Sequence, residues 1–457
     1  MSLIVSISGI RGIIGKTLTP EVIVKYASAF AEYNNYRPII IGRDGRITGK
    51  IVANIVASTL LSAGCDVIAL GVVPTPTVQL AVEKLQASGG ISITASHNPM
   101  EWNGLKFMNH EGMFLDAEQN KTFWSLANQL TRVYQPWDSI GKHHADTTFI
   151  EKHIELVLNL SYVSPEKIRQ RKFRVVVDSV NAAGGLIVPQ LLRQLGCEVI
   201  ELNCDVSGIF SHTPEPIPEN LTGLCAKVKT EHADLGIAVD PDVDRLVLVN
   251  ERGEPFNEEY TIAGVVDFVL SEEYKLSPHQ EQKVVVNLST TRAVDDIAKK
   301  YNAHVLRSPV GEINVAKTMK EVNSIVGGEG SGGVILREAH LGRDAMVGIV
   351  LLLQHLTNQG CTLSEYKATL PQYFITKDKI TIEPAKAKKA FAYLQDKYSK
   401  IGIISTVDGL KIDLPDSWVH LRTSNTEPIA RIIAEAPTTE QAQQLVQQLK
   451  KEILAQL

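Results

Sequence analysis

The chain alternates between short, wholly apolar runs rich in β-branched residues and longer stretches whose apolar positions recur at helical spacing. Three regions share one plan. The first is Pro38-Ile-Ile-Ile-Gly-Arg-Asp44, then an amphipathic segment over 50–63, then Gly64-Cys-Asp-Val-Ile68. The second is Phe173-Arg-Val-Val-Val-Asp178, a less regular segment, and Gly196-Cys-Glu-Val-Ile200. The third is Lys283-Val-Val-Val-Asn287, a segment over 292–300, and Ala303-His-Val-Leu306. In 50–63 the apolar residues at 51, 52, 55, 56, 60 and 61 fall on one helical face. Apolar strands alternating with helices predict parallel strands buried on both faces, and hence three successive α/β domains. Pro189 weakens the helix expected in the second unit, because an interior proline removes a backbone hydrogen bond.

From about residue 370 the pattern changes. Ile380-Thr-Ile-Glu, Gly402-Ile-Ile-Ser-Thr, Val407–Asp413, Trp418-Val-His-Leu-Arg and Ala430-Arg-Ile-Ile-Ala-Glu read as four or five short strands. Asp408-Gly409 is a hairpin turn signal, and a helix is expected from about Thr439 to Leu457. This predicts a smaller, mostly antiparallel α+β domain. The expected boundaries are 1–155, 156–256, 257–369 and 370–457.

Composition narrows the function classes. At about 100–200 residues per domain, 457 residues allow three or four domains. A hydrophobic share of 44% and a charged share of 21% are ordinary for a globular protein. A net charge of −5 supplies no basic face for nucleic acid or membrane. The apolar run at 348–353 is far shorter than the ~20 residues of a membrane span. The N-terminus lacks a basic leader and carries Arg11, so no signal peptide is expected. The five cysteines form no Cys-x-x-Cys pair, as expected for reduced residues of a cytoplasmic protein. His143 and His144 have no partner at ligand spacing and are expected to be exposed loop residues.

Four motifs carry candidate chemistry. In Thr94-Ala-Ser-His-Asn-Pro99 a β-prone run spills into a turn, which makes Ser96 either a reactive residue on a scaffolded loop or a simple turn former. Asp240-Pro-Asp-Val-Asp-Arg245 follows the apolar run 235–239. Its carboxylates at 240, 242 and 244 share a side if the backbone is extended, and three negative charges so close call for a hard cation such as Mg²⁺. The glycine-rich run 327–333 lets backbone approach a ligand, with Glu329 and Ser331 able to reach hydroxyls; its other reading is a flexible turn. Arg422-Thr-Ser-Asn-Thr-Glu-Pro428, with Arg431 beyond it, offers the donors a phosphate dianion needs; its other reading is a capped turn with solvated arginines. Arg11, set between glycines, and Lys106, ten residues after Ser96, are further cations able to face phosphate, and Lys106 or His97 could move protons.

In this order the motifs resemble the α-D-phosphohexomutase superfamily over essentially the whole chain. The resemblance implies three similar α/β domains with mixed, largely parallel sheets and a smaller fourth α+β domain around a central cleft. It implies that Ser96 carries the phosphoryl group and that Asp240, Asp242 and Asp244, with Ser96, hold Mg²⁺. It implies further that Arg11, His97, Lys106 and Arg245 line the reacting end, with Lys106 as proton carrier. Glu329 and Ser331 would bind sugar hydroxyls, and Arg422, Ser424, Asn425, Thr426 and Arg431 the distal phosphate. The expected activity interconverts hexose 6- and 1-phosphates through a bisphosphate, with hexose 1,6-bisphosphate as priming activator and the fourth domain moving as a hinged unit after about residue 370. Glu312 in Pro309-Val-Gly-Glu312, where many relatives carry His or Asp, resembles the archaeal-type phosphoglucosamine mutases and points to glucosamine 6-phosphate. Glucose or mannose phosphates are the alternative substrates, and a serine-dependent sugar phosphatase or an inactive binding relative are the other readings. A monomer and a homodimer are both compatible with the sequence, and neither nucleic acid nor membrane is expected as a partner.

Overall fold

The apolar runs become strands of four sheets in a computed structural model that describes residues 3–129, 131–423 and 428–456. The first sheet has seven strands, in spatial order Ile4–Ser6, Gly9–Ile13, Trp102–Met108, Gly89–Ile93, Ile39–Arg43, Val67–Val72 and His143–Ala145. The second runs Leu246–Asn250, Leu235–Val239, Arg174–Asp178 and Glu198–Leu202. The third runs Ala303–Ser308, Gln282–Asn287, Val326–Glu329 and Gly333–Leu336. The fourth, wholly antiparallel, runs Phe374–Thr381, Ile429–Ala436, Trp418–Thr423, Leu410–Asp413 and Ile403–Ser405.

In each α/β unit the central strand has parallel neighbours on both sides. One of those neighbours then turns back on itself as an antiparallel hairpin: 89–93 with 102–108, 235–239 with 246–250, and 326–329 with 333–336. The hairpin tips at 94–101, 240–245 and 330–332 therefore leave from the carboxyl ends of parallel strands. Ligands bind at such ends in open α/β sheets. The three α/β motifs occupy these tips, and the fourth motif begins at Arg422 in the strand Trp418–Thr423.

Packing joins the first three units and sets the fourth apart. One continuous apolar cluster runs from Ile40 and Val78 through Val177 and Ile237 to Val285 and Leu351. The fourth unit has its own core, where Ile380, Leu421 and Ile432 of the sheet meet Leu394 and Val446 of the helices Pro384–Tyr398 and Thr439–Leu454. Its seam with the third unit is polar: Ser289 Oγ lies 2.7 Å from His420 Nδ1, and the Arg292 and Val310 amides donate to Glu435 and Asp408.

Two local expectations change. Gly184–Gln194 is helical despite Pro189, whose ring is buried among Ile187, Val188 and Leu191, so tertiary packing outweighs the lost hydrogen bond. His143 and His144 are exposed as expected, but in a short edge strand beside Val67–Val72 rather than a loop. Among the described residues no helix is long and apolar enough to cross a membrane.

Candidate active site

Ser96 sits at the first hairpin tip with φ near +49°, a left-handed conformation that a non-glycine residue adopts only when its surroundings hold it there. The surroundings are explicit. The Ser96 amide donates to Thr94 Oγ1 at 2.9 Å, and Thr94 Oγ1 donates to Asp44 Oδ2 at 2.6 Å. Arg46, fully buried, pairs with Asp44 at 3.1 Å and donates to the carbonyls of Ser96, Asn98, Pro99 and Trp102 at 2.5–3.0 Å. The tip is thus pinned from below, and the Ser96 Oγ donates to Asp240 Oδ2 at 2.8 Å. His97 Nδ1 lies 3.3 Å from the same Oγ. Burial, with Arg245 and Arg11 nearby, pushes the His97 imidazolium pKa down to about 2, so the ring is neutral.

The second tip carries the three aspartates, all buried. Asp240 Oδ1 accepts the amides of Asp244 and Arg245, both at 3.1 Å. Asp242 Oδ2 accepts from Thr75 Oγ1 and Lys106 Nζ, each at 2.6 Å. Asp244 Oδ2 accepts from Lys106 Nζ at 3.1 Å and Arg343 Nη2 at 2.7 Å. Val243, a β-branched residue with φ near +61°, is held by full burial and by the Ala345 amide on its carbonyl at 3.1 Å. Burial and then the neighbouring Asp244 and Asp242 push the Asp240 carboxyl well above its ordinary pKa.

Asp242 Oδ1 and Asp244 Oδ1 are buried with no hydrogen-bond partner among the described residues. An orphaned buried acceptor costs about 1–3 kcal/mol. The three aspartates offer oxygens within 4.8 Å of one another. Converging, unpartnered carboxylate oxygens suit a hard divalent cation, so the cluster fits a metal site.

These tips face a cleft of about 350 Å³ lined by all four units. Arg11, His97, Lys106 and Arg245 stand at the serine end, and Arg11 Nη1 donates to Asn98 Oδ1 at 3.2 Å. Burial opposes the Lys106 charge, but Asp242 and Asp244 hold its pKa above the ordinary value. Glu329 and Ser331 form part of the wall. Glu329 Oε1 accepts from Asn287 Nδ2 at 2.7 Å and the Gly311 amide at 2.9 Å, while Oε2 accepts from Arg343 Nη1 at 2.7 Å. Glu312 lines the cleft too, but both its oxygens already accept from Arg343 or Gln79.

At the far end Arg422 and Arg431 line the cleft from the fourth sheet. Arg422 makes a two-point ion pair with Asp408, both contacts at 3.0 Å. Strand register places Lys379 opposite Arg431 and Arg431 opposite Arg422, a row of three cations on one face. Like charges directly opposite one another are destabilising, an effect that Asp408 offsets at Arg422. Ser424, Asn425 and Thr426 lie outside the described residues. Motif reading missed Arg46, Thr75, Arg343 and Lys377, the last of which lines the cleft. A lone charged residue carries no periodic signal, and only the fold reveals that Arg46 and Arg343 are buried among acceptors.

A buried serine beside a carboxylate triplet, in a sugar-sized cleft whose far end carries Lys377, Arg422 and Arg431, defines a phosphoryl-transfer enzyme. The chain matches in order the models for "Phosphoglucomutase/phosphomannomutase" α/β/α domains I, II and III over residues 3–133, 150–253 and 260–374, and the C-terminal domain over 376–452. It belongs to this family and is a phosphohexomutase. The "Phosphoglucomutase/phosphomannomutase" of Thermococcus kodakarensis is 38% identical over 446 residues, covering 96% of each chain. The "Probable phosphoglucosamine mutase" of Methanopyrus kandleri is 34% identical over 443 residues, covering 96% of this chain and 95% of its own. A phosphoglucomutase/phosphomannomutase family crystal structure from Burkholderia thailandensis superposes with a TM-score of 0.85 at 25% identity, covering 99% of this chain and 98% of the other.

Proposed function

We propose that the protein interconverts glucosamine 6-phosphate and glucosamine 1-phosphate through a phosphoserine at Ser96. The observation that carries the mechanism is the placement of Ser96 Oγ 2.8 Å from Asp240, beside two carboxylate oxygens that lack partners. In this reading Asp240, Asp242 and Asp244 would hold Mg²⁺ together with the phosphoserine. The ion, when bound, would neutralise charge on the transferring phosphoryl group.

The chain's own residues do the rest. Arg11, Arg245 and Lys106 surround the phosphoryl group with positive charge, and phosphoryl transfer depends mainly on positioning and charge stabilisation. A sugar hydroxyl oxygen bonds to phosphorus as the bond to Ser96 Oγ breaks. The net proton moves from that hydroxyl to Ser96 Oγ, with Lys106 as carrier. Glu329 and Ser331 orient the ring, and Arg422, Ser424, Asn425, Thr426 and Arg431 hold the phosphate already present. The bisphosphate then turns end for end and returns its other phosphoryl group to Ser96. A hexose 1,6-bisphosphate primes an unphosphorylated enzyme by the same return step.

The name of the Methanopyrus relative and the acidic wall formed by Glu312 and Glu329 support an ammonium at C2 of the sugar. A second reading, glucose or mannose phosphates, is favoured by two observations. The Thermococcus relative bears that name, and Glu312 is already engaged by Arg343. Comparing kcat/KM for the 6-phosphates of glucosamine, glucose and mannose decides between them. A higher value for glucose or mannose would overturn the glucosamine assignment, and stoichiometric release of free phosphate would overturn the mutase reading in favour of a serine-dependent phosphatase.

A further inference from the structure

Arg343 stands outside all four motifs, yet its side chain joins three carboxylates at the cleft. It precedes Asp344, which caps the helix Ala345–Gln359 by accepting the Met346 amide at 2.8 Å. Asp344 is clamped in turn, with His153 Nε2 and His340 Nε2 at 2.8 and 3.2 Å from its Oδ2. The backbone that launches Arg343 is therefore fixed.

From there the guanidinium reaches three carboxylates on separate segments. Nη2 donates to Asp244 Oδ2 at 2.7 Å, Nη1 to Glu329 Oε2 at 2.7 Å, and Nε to Glu312 Oε2 at 3.1 Å. Occupying Asp244 Oδ2 leaves Oδ1 as the unpartnered oxygen of that carboxylate. Occupying Glu329 Oε2 completes the hold on the sugar-loop carboxylate, whose Oε1 is fixed by Asn287 and Gly311. A planar guanidinium can serve three acceptors in fixed directions, whereas an ammonium on a flexible stem cannot.

The path of the side chain explains one glycine. A Cβ on Gly333 would sit 2.2 Å from Arg343 Cδ. Position 333 is therefore kept bare so that Arg343 can cross the hairpin of the sugar loop.

We propose that Arg343 is a positioning residue that locks the metal loop to the sugar loop, so that one side chain sets both divalent-cation affinity and hexose-phosphate affinity. The proposal rests on the mutase reading. Arg343→Lys keeps the charge and loses the fork. Gly333→Ala leaves Arg343 chemically intact and displaces it. Mn²⁺ binding to the sugar-free protein is titrated by electron paramagnetic resonance, and KM and kcat are measured with glucose 6-phosphate at saturating Mg²⁺.

Residues that orient metal ligands typically contribute about 10–100-fold in affinity. Both variants are therefore expected to bind Mn²⁺ at least about tenfold more weakly and to raise KM about tenfold, with kcat changed less. A folded variant in which either quantity stays within about twofold of the parent overturns the proposal. If Arg343→Lys does not fold, Gly333→Ala decides alone. The Mn²⁺ titration needs no turnover, and calorimetric glucose 6-phosphate binding can replace KM. The Arg343 link is thus judged even if the protein isomerises no hexose phosphate, the result that would remove the mutase reading.

Discussion

Arg46→Met is the sharpest test of how the serine tip is held. The substitution removes one half of a fully buried ion pair with Asp44 and the donors to four loop carbonyls. Breaking a buried pair from one side costs about 3–5 kcal/mol, against a total domain stability of about 5–15 kcal/mol. At about 2–4 °C per kcal/mol, a loss near 4 kcal/mol lowers the melting temperature by roughly 8–16 °C. Burial already pushes the Asp44 carboxyl pKa up, with Arg46 the main opposing influence. Without Arg46 it rises further above the unfolded value of about 3.9. A carboxyl raised in the folded state loses stability as pH climbs from the unfolded to the folded pKa, so the deficit is larger at pH 8 than at pH 5. Thermal unfolding at both pH values measures this, and intact mass after incubation with glucose 1,6-bisphosphate reports whether Ser96 still accepts a phosphoryl group. A methionine variant that melts within about 2 °C of the parent and phosphorylates normally would refute the pinning argument.

Three other outcomes are expected. The purified protein, primed with a hexose bisphosphate, should gain the mass of one phosphoryl group, and Ser96→Ala should abolish the gain; a gain that persists would move the carrier elsewhere. Asp242→Asn removes a charge but keeps the shape, and should weaken Mn²⁺ binding by about 10–100-fold; unchanged binding would place the cation elsewhere. Burial at the seam with the fourth unit pushes the His420 pKa down to about 4. The unfolded residue, at about 6.5, binds its proton first, so seam stability is full above 6.5 and declines as pH falls toward 4. Hydrogen exchange of strand 374–381 should accelerate over that window, and a flat profile would exclude His420 as the cause.

Much of this architecture is legible in the hydrophobic pattern, because parallel strands buried on both faces must be continuously apolar. The returning strand of each hairpin was harder to see. Leu246–Asn250 is readable, but Trp102–Met108 carries Lys106 inward, and Gly333–Leu336 is only four residues long. The site motifs were legible because carboxylate triplets and donor-rich turns are rare together. Arg46 and Arg343 were not. The loop carbonyls that Arg46 holds lie 50–56 residues away along the chain and the carboxylates that Arg343 holds 14–99 residues away, which no local pattern encodes. Pro189 shows the converse, a strong local signal overruled by packing.

Under the proposed function, Arg431 and Arg422 at the far end of the cleft have a consequence for what can leave the enzyme. A product monophosphate has one dianionic end, and once that end slips from either cationic pole nothing comparable holds the rest of the molecule. A bisphosphate must break free of both poles in the same moment. Under the proposed function, this charge at both ends of the cleft would discriminate by charge distribution and retard escape of the intermediate. It also makes that retention sensitive to ionic strength: added salt screens both poles, and loss of bisphosphate to solution becomes the way turnover fails.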